Sequence, residues 1–195
     1  WRAQAYEENS VTHLRATDEN IAFEGASMMG KFIASFASLD TSKIRPSIPQ
    51  FHHLPKYLKL FDEVMTNGNQ NRIAKSKTEI DWLNSKRMVL LQRFDKIQKL
   101  PDRICHADTK ISNILFDKDT NKAVKVIDLD TVMPGKVPFD FADMVRSFTP
   151  SIDENSKDLD TLVIKQDIFE ALTKGFLQET KNILNDEEIN LLFDG

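Results

Sequence analysis

The segment CHADTKISN, residues 105–113, is the stretch from which the rest of this chain can be interpreted. It contains the pattern H-x-D-x-K-x-x-N, and an apolar run that ends at Asp128 follows it. Asp108 can accept a hydrogen bond from an incoming hydroxyl, and Lys110 can offset charge on a transferring phosphate. Asn113 and Asp128 offer the hard oxygen atoms that magnesium prefers. These are the groups that phosphoryl transfer to a small hydroxyl requires, because that chemistry depends on positioning and charge stabilisation.

The residues after this segment predict a β-hairpin. Two apolar stretches, 114–116 and 123–129, flank the polar turn 117–122. A hairpin of this length would return Asp128 towards Asn113, as a shared metal site requires. The catalytic and metal-binding side chains are therefore expected beside a small β-hairpin.

Helical periodicity dominates elsewhere and predicts an α+β fold that is mostly helical. A helix is expected from Thr17 or Asp18, either of which can cap it. The other predictions are a strand over 1–6, a loop over 40–55, an extended segment over 103–106, and helices over 56–65, 78–100, 139–148, 159–179 and 186–193.

Several polar residues near the segment have two interpretations. His106 is interpreted as a structural residue that braces the loop through hydrogen bonds, and Cys105 as a small buried residue. Asp140 either caps the helix that follows Pro138 or holds the backbone of the loop from below; the second role is favoured. Asp130 is a candidate contact for the acceptor or for a second metal ion.

His52 and His53 are adjacent, so they cannot form a metal pair on one helix face. They are interpreted as surface or packing residues, or as part of an acceptor cleft near Phe51.

Two functions compete with phosphoryl transfer. Residues 126–131, VIDLDT, also resemble the first motif of haloacid-dehalogenase-type phosphatases, in which Asp128 would be the nucleophile. That fold needs further strand–helix units after the motif, whereas the residues after Thr131 read as helices, and it would leave Asp108 without a role. The other alternative is an inactive binding or regulatory domain, which is disfavoured because all the chemical positions are present.

Composition limits the class of protein. The chain has 195 residues, of which 41% are hydrophobic, which is enough for one sizeable core. The net charge of −4 argues against nucleic acid or an anionic membrane as a partner. The single cysteine excludes an internal disulfide and indicates a reducing compartment such as the cytoplasm. No sequence feature predicts the oligomeric state.

These motifs resemble the kinase-like phosphotransferases, which include aminoglycoside phosphotransferases and choline kinases. The resemblance rests on residues 106–113, on VID at 126–128, and on FDFA at 139–142. It implies ATP as co-substrate and Mg²⁺ held by Asn113 and Asp128. It also implies Asp108 as the catalytic aspartate and Asp140 as the aspartate that steadies the catalytic loop.

The chain is also similar to the N-acetylhexosamine 1-kinases. Those proteins carry a similar first motif, then IDLDT and MPG as at 127–131 and 133–135, then DFxDxxR as at 140–146. This resemblance implies a sugar acceptor that is phosphorylated on its anomeric hydroxyl.

The resemblance also carries an expectation about domains. The amino-terminal, mainly β lobe of that family, with its phosphate-covering loop and lysine, has no counterpart in this sequence. Residues 1–10 are therefore expected to be the end of a hinge region and 11–195 a helical carboxy-terminal lobe. Such a chain alone is expected to have little or no turnover.

Overall fold

The computed structural model describes residues 5–195. The strand expected at 1–6 lies largely outside these residues, and Ala5 and Tyr6 belong to no strand. The first strand, β1, is Ser10–Val11.

Helices form most of the regular structure, and most of the expected helices are present. In chain order they are α1 (Glu19–Ser35), α2 (Leu54–Asn67), α3 (Gln70–Lys75), α4 (Lys77–Gln98), α5 (Val137–Phe148), α6 (Gln166–Thr180) and α7 (Asp186–Asn190). None of the helices within residues 5–195 is both long and apolar enough to cross a membrane.

Helix α1 begins as predicted. Asp18 adopts an extended backbone, and its carboxylate accepts the N–H of Ile21 at 3.0 Å. This bond satisfies one of the amide groups that a helix leaves unpaired at its amino terminus.

The core forms where α1 packs closely along α6. Gly175 makes this approach possible: a Cβ atom there would lie 2.3 Å from the carbonyl oxygen of Phe23. The buried side chains of this core include Ile21, Met29 and Phe176.

Two small antiparallel sheets flank residues 106–113. In the first, β3 (Ile114–Asp117) lies between β1 and β4 (Ala123–Val126), so the predicted hairpin is present as β3–β4. In the second, β2 (Arg103–Cys105) pairs with β5 (Met133–Gly135). Residues 106–113 therefore connect one sheet to the other.

Other boundaries differ from the predictions. The second hairpin strand ends at Val126 rather than residue 129, because Asp128 has a left-handed backbone and Leu129–Thr131 form a 3₁₀ turn. Helix α6 begins at Gln166 instead of residue 159, since residues 159–161 form a separate 3₁₀ turn. The final helix is divided into α7 and a 3₁₀ turn at Leu192–Asp194.

Other elements were not predicted. The loop expected over 40–55 contains a 3₁₀ turn at Thr41–Lys43, and α2 begins inside it at Leu54. Helix α3 and strand β5 are short, so too few residues define a period in their sequence. The mixed α+β fold class is confirmed.

Candidate active site

The segment 106–113 is attached to α5 through the carboxylate of Asp140. Its Oδ2 accepts the N–H of His106 at 2.8 Å, and its Oδ1 accepts the N–H of Ala107 at 3.0 Å. Asp140 is 1% exposed. Burial raises the pKa of its carboxyl group to about 7, while the two N–H bonds act in the opposite direction. Asp140 thus holds the segment from below; it is not the α5 N-cap, a position that Lys136 occupies.

Hydroxyl groups add further attachments. Thr109 Oγ1 donates to the carbonyl oxygen of Asp140 at 2.7 Å, and Thr131 Oγ1 donates to that of His106 at 2.8 Å. The N–H of Ile111 donates to Ser147 Oγ at 3.0 Å.

Sequence reasoning missed these three hydroxyl residues. Asp140 and Ser147 are seven positions apart, so they share one face of α5, and this spacing was the available signal. Nothing in the sequence identified the groups that Asp140 and Ser147 bind, because these backbone groups lie more than thirty residues away.

Asp108 lies at the centre of the site between a cation and an amide. Its Oδ2 is 3.1 Å from Lys110 Nζ and accepts Asn113 Nδ2 at 3.0 Å. The same Nδ2 also donates to the Asp108 carbonyl oxygen at 2.8 Å. The Asp108 side chain is 26% exposed, so the fixed carboxylate remains accessible to an incoming group.

The segment ends beside Asp128. The N–H of Ile127 donates to the carbonyl oxygen of Asn113 at 2.9 Å, which brings the residue before Asp128 against Asn113. Asp128 is exposed and has φ 59° and ψ 58°. This left-handed conformation is uncommon outside glycine and turns the chain out of β4 at this point.

His106 fixes the same turn from inside the protein. Its Nε2 lies 2.9 Å from the carbonyl oxygen of Ile127. Because a carbonyl oxygen only accepts, Nε2 carries the proton in this bond. The ring is fully buried and meets Phe32 edge to face at 5.6 Å.

Asn113 and Asp128 have the chemistry to hold magnesium. The amide nitrogen of Asn113 is occupied by Asp108, which leaves its oxygen available as a ligand. Within residues 5–195, no group of three or more His, Cys, Asp or Glu side chains could hold a metal by itself. A site with few protein ligands suits Mg²⁺, which usually keeps several waters and binds substrate phosphates as well.

The other candidate residues lie close by. Asp130 is exposed in the 3₁₀ turn that follows Asp128. Cys105 is buried in β2, and burial raises the pKa of its thiol well above the ordinary value, which keeps it protonated and unreactive.

A cavity of about 160 Å³ opens beside the segment. Ala107 from this segment and Asp140 from α5 form part of its wall. The lining also includes side chains from the residues before α2 and from the start of α5, namely Phe51, His52, His53 and Phe139. Both histidines therefore line a cleft, one of the roles considered for them from the sequence.

Asp108 is thus an accessible carboxylate on a segment that buried hydrogen bonds hold in place, and group transfer to a hydroxyl depends on such fixed geometry. The chain belongs to the APH phosphotransferase enzyme family, whose model matches residues 1–159. Among solved structures, it is similar to an aminoglycoside-3′-phosphotransferase of type VIII, at 15% sequence identity and a TM-score of 0.46. The alignment covers 94% of this chain and 66% of that one, so the chain spans slightly less than two thirds of that enzyme.

Proposed function

We propose that this protein acts in ATP-dependent transfer of a phosphoryl group to a hydroxyl of a small molecule. The observation that carries the proposal is the placement of Asp108. Its carboxylate is held by Lys110 at 3.1 Å and by Asn113 at 3.0 Å, yet it remains accessible. Family membership supports the same reaction class.

Each side chain has a distinct role in this mechanism. Asp108 accepts a hydrogen bond from the acceptor hydroxyl and aims its oxygen at the terminal phosphate of ATP. The new P–O bond forms as the bond to ADP breaks, and the acceptor proton passes to Asp108. An ordinary aspartate suffices as the base, because a loose transition state requires little proton removal before bond formation.

Lys110 stabilises negative charge on the transferring group. Asn113 and Asp128 would hold magnesium, which would neutralise charge on the phosphates when bound. Asp130, in the turn that follows Asp128, would contact either the acceptor or a second metal ion.

The domain assignment is part of the proposal. Residues 1–10 would end a hinge and residues 11–195 would form a carboxy-terminal lobe. Within residues 5–195 the sheets have three strands and two strands, and neither is the larger β lobe that covers the nucleotide in kinase-like enzymes. Nucleotide affinity would then depend on a further lobe, and the present chain alone would have little turnover.

For the acceptor, we propose a neutral sugar, specifically the anomeric hydroxyl of an N-acetylhexosamine. A cavity of about 160 Å³ is small compared with the roughly 300–1,000 Å³ of drug-sized ligand sites, and this favours a single ring.

The charges at the cavity also favour a neutral acceptor. Lys136 Nζ lies 2.9 Å from Asp102 Oδ1, and Asp140 is committed to backbone N–H groups. A polycationic aminoglycoside, the choline cation or the ammonium group of homoserine would find few uncompensated carboxylates there. Kinases for these other small alcohols remain the second candidate.

The phosphatase alternative has less support. Strand β4 lies at the edge of an antiparallel sheet, whereas that alternative depends on parallel strand–helix units. The contacts of Lys110 and Asn113 with Asp108 would also have no role in a phosphatase that uses Asp128 as its nucleophile.

The test is ATP consumption by the protein in its full natural length, with magnesium and a panel of acceptors. The panel contains N-acetylglucosamine, N-acetylgalactosamine, galactose, choline, homoserine and kanamycin. We expect turnover with an N-acetylhexosamine, and a loss of about 10²–10⁴-fold in kcat in Asp108→Asn. Asp160→Asn, which makes the same change at an exposed position, is the matched control and should retain activity.

Other outcomes would redirect the assignment. Hydrolysis of a generic phosphate ester that survives Asp108→Asn would move the chemistry to Asp128. A folded protein without turnover on any acceptor would favour an inactive binding domain. Turnover with kanamycin or choline alone would support the reaction class and overturn the proposal of a sugar acceptor.

A further inference from the structure

Two adjacent histidines at the cavity have different environments. His53 Nδ1 accepts the N–H of Lys56 at 3.2 Å and caps α2, and its ring meets Phe94 edge to face at 5.3 Å. His52 makes ring contacts only: within residues 5–195, neither of its nitrogen atoms has a hydrogen-bond partner. The local structure therefore accounts for His53 and leaves the polar atoms of His52 available.

Aromatic rings fix the orientation of His52. Phe51 stacks on the imidazole at a centroid distance of 4.7 Å and an interplanar angle of 24°. Phe139 meets the imidazole edge to face at 5.6 Å, and Phe94 stacks on Phe139 at 6.2 Å. Such contacts restrict the ring of a half-buried side chain, so its nitrogen atoms point in defined directions.

His52 is also electrostatically coupled to the catalytic carboxylate. Burial lowers its pKa, while the negative charges of Asp143 and Asp108 act to raise it. Each of these two carboxylates also has its own cationic partner, Arg146 for Asp143 and Lys110 for Asp108. Burial is the largest of these effects, so the neutral imidazole, with one donor and one acceptor nitrogen, is favoured.

We propose that His52 is an acceptor-binding residue, which hydrogen-bonds a polar substituent of a single-ring, neutral acceptor while the aromatic wall packs against the ring. This inference rests on the proposed function and adds a specificity residue to it. A neutral imidazole can pair with a hydroxyl or acetamido group, whereas a cationic acceptor gains only one acceptor nitrogen from it. Pockets with apolar walls and a few fixed polar groups discriminate in this way.

The experiment compares steady-state kinetics of His52 variants of the full-length protein, with N-acetylglucosamine as the probe. His52→Ala is expected to raise the KM for the sugar about tenfold or more and to leave the KM for ATP unchanged, because only an acceptor contact is removed. His52→Asn and His52→Gln place an amide near the Nδ1 and Nε2 positions, respectively. A return of the sugar KM towards the wild-type value in one of these two variants would identify the nitrogen atom that binds the acceptor.

His13→Ala is the matched control. His13 is also a half-buried histidine against a phenylalanine, Phe116, at 4.9 Å, and burial lowers its pKa as well. It lines none of the cavity, so its variant should keep the acceptor KM of the wild type.

Monodeoxy analogues of N-acetylglucosamine provide a second measurement. The analogue that lacks the bonded group should bind the wild type weakly and be affected little by His52→Ala, since the interaction is already missing.

The results separate this inference from the proposed function. An unchanged acceptor KM in folded His52 variants, or a fall in kcat alone, would overturn the role of His52 while the kinase assignment stands. Absence of turnover with every acceptor in the wild type would overturn both.

Discussion

Asp140 Oδ1 accepts the N–H of Ala107 at 3.0 Å, directly beneath a residue whose backbone is left-handed, with φ 63°. A non-glycine residue in this conformation is strained and persists only where its surroundings hold it. The bond from α5 supplies that constraint, and the next residue is Asp108. The position of the Asp108 carboxylate therefore depends on the buried carboxylate of Asp140, which holds the backbone of the preceding residues.

Removal of the Asp140 carboxylate should destabilise the protein and reduce its activity. In Asp140→Ala the N–H groups of His106 and Ala107 lose their acceptors, and each unpaired buried group costs about 1–3 kcal/mol. We expect a lower free energy of unfolding by chemical denaturation, and a lower kcat because the segment relaxes. Asp160→Ala, at an exposed position, should change neither quantity. Unchanged stability in Asp140→Ala would show that the two bonds contribute nothing to the folded state.

The titration of Asp140 predicts a pH dependence of stability. Its pKa is about 7 in the folded protein, because of burial, against 3.8 for the free group. Between these values the folded state binds more protons than the unfolded state, so the free energy of unfolding falls as pH rises. The slope from this one group approaches about 1.4 kcal/mol per pH unit in the middle of the window.

Asp140→Asn removes the titrating group, and its stability should fall less steeply from pH 4 to pH 7 than that of the wild type. Urea denaturation of both proteins at several pH values measures the difference, which cancels the other titrating groups. Parallel curves for the two proteins would mean that the carboxyl group titrates below this window, held ionised by its N–H bonds.

An ion pair between β2 and α7 should be important for stability. Arg103 Nε and Nη2 donate to Glu188 Oε1 and Oε2 at 2.6 and 2.7 Å, and the Glu188 side chain is 1% exposed. Glu188 also completes the capping box of α7 with Asn185. Glu188→Ala leaves the partly buried guanidinium unpaired and should cost about 3 kcal/mol.

The matched control for this change is Glu187→Ala, one residue earlier on the same helix and exposed. It should have a small effect, since surface substitutions usually change stability by less than about 0.5 kcal/mol. Thermal or chemical denaturation of both variants tests the pair; equal effects would contradict it.

The sequence was sufficient for the features that depend on local order. The offsets within residues 105–113, the hairpin at β3–β4 and the Asp18 cap follow from turn chemistry, strand periodicity and capping preferences. The proximity of Asn113 to Asp128 followed as well, because a hairpin joins them over a short distance in the chain. The mostly helical α+β fold was predictable for the same reason.

The tertiary structure decided what depends on residues distant in sequence. Strand β5 exists because β2 pairs with it, and the 3₁₀ turn after Asp128 replaces the strand that an apolar pattern predicted. The roles of Thr109 and Ser147 appear only when α5 packs under residues 106–113, and that of Thr131 only when the turn after Asp128 meets His106.

The histidine pair shows the division most clearly. By sequence, His52 and His53 are equivalent neighbours, and neither could be assigned a function. In the folded protein both line the cavity, but His53 accepts a backbone N–H of α2 whereas His52 makes ring contacts only. Local sequence sets which polar side chains are available. Packing determines which of them bond to the protein and which remain for a ligand, because hydrogen-bond partners far apart in sequence meet only in the folded chain.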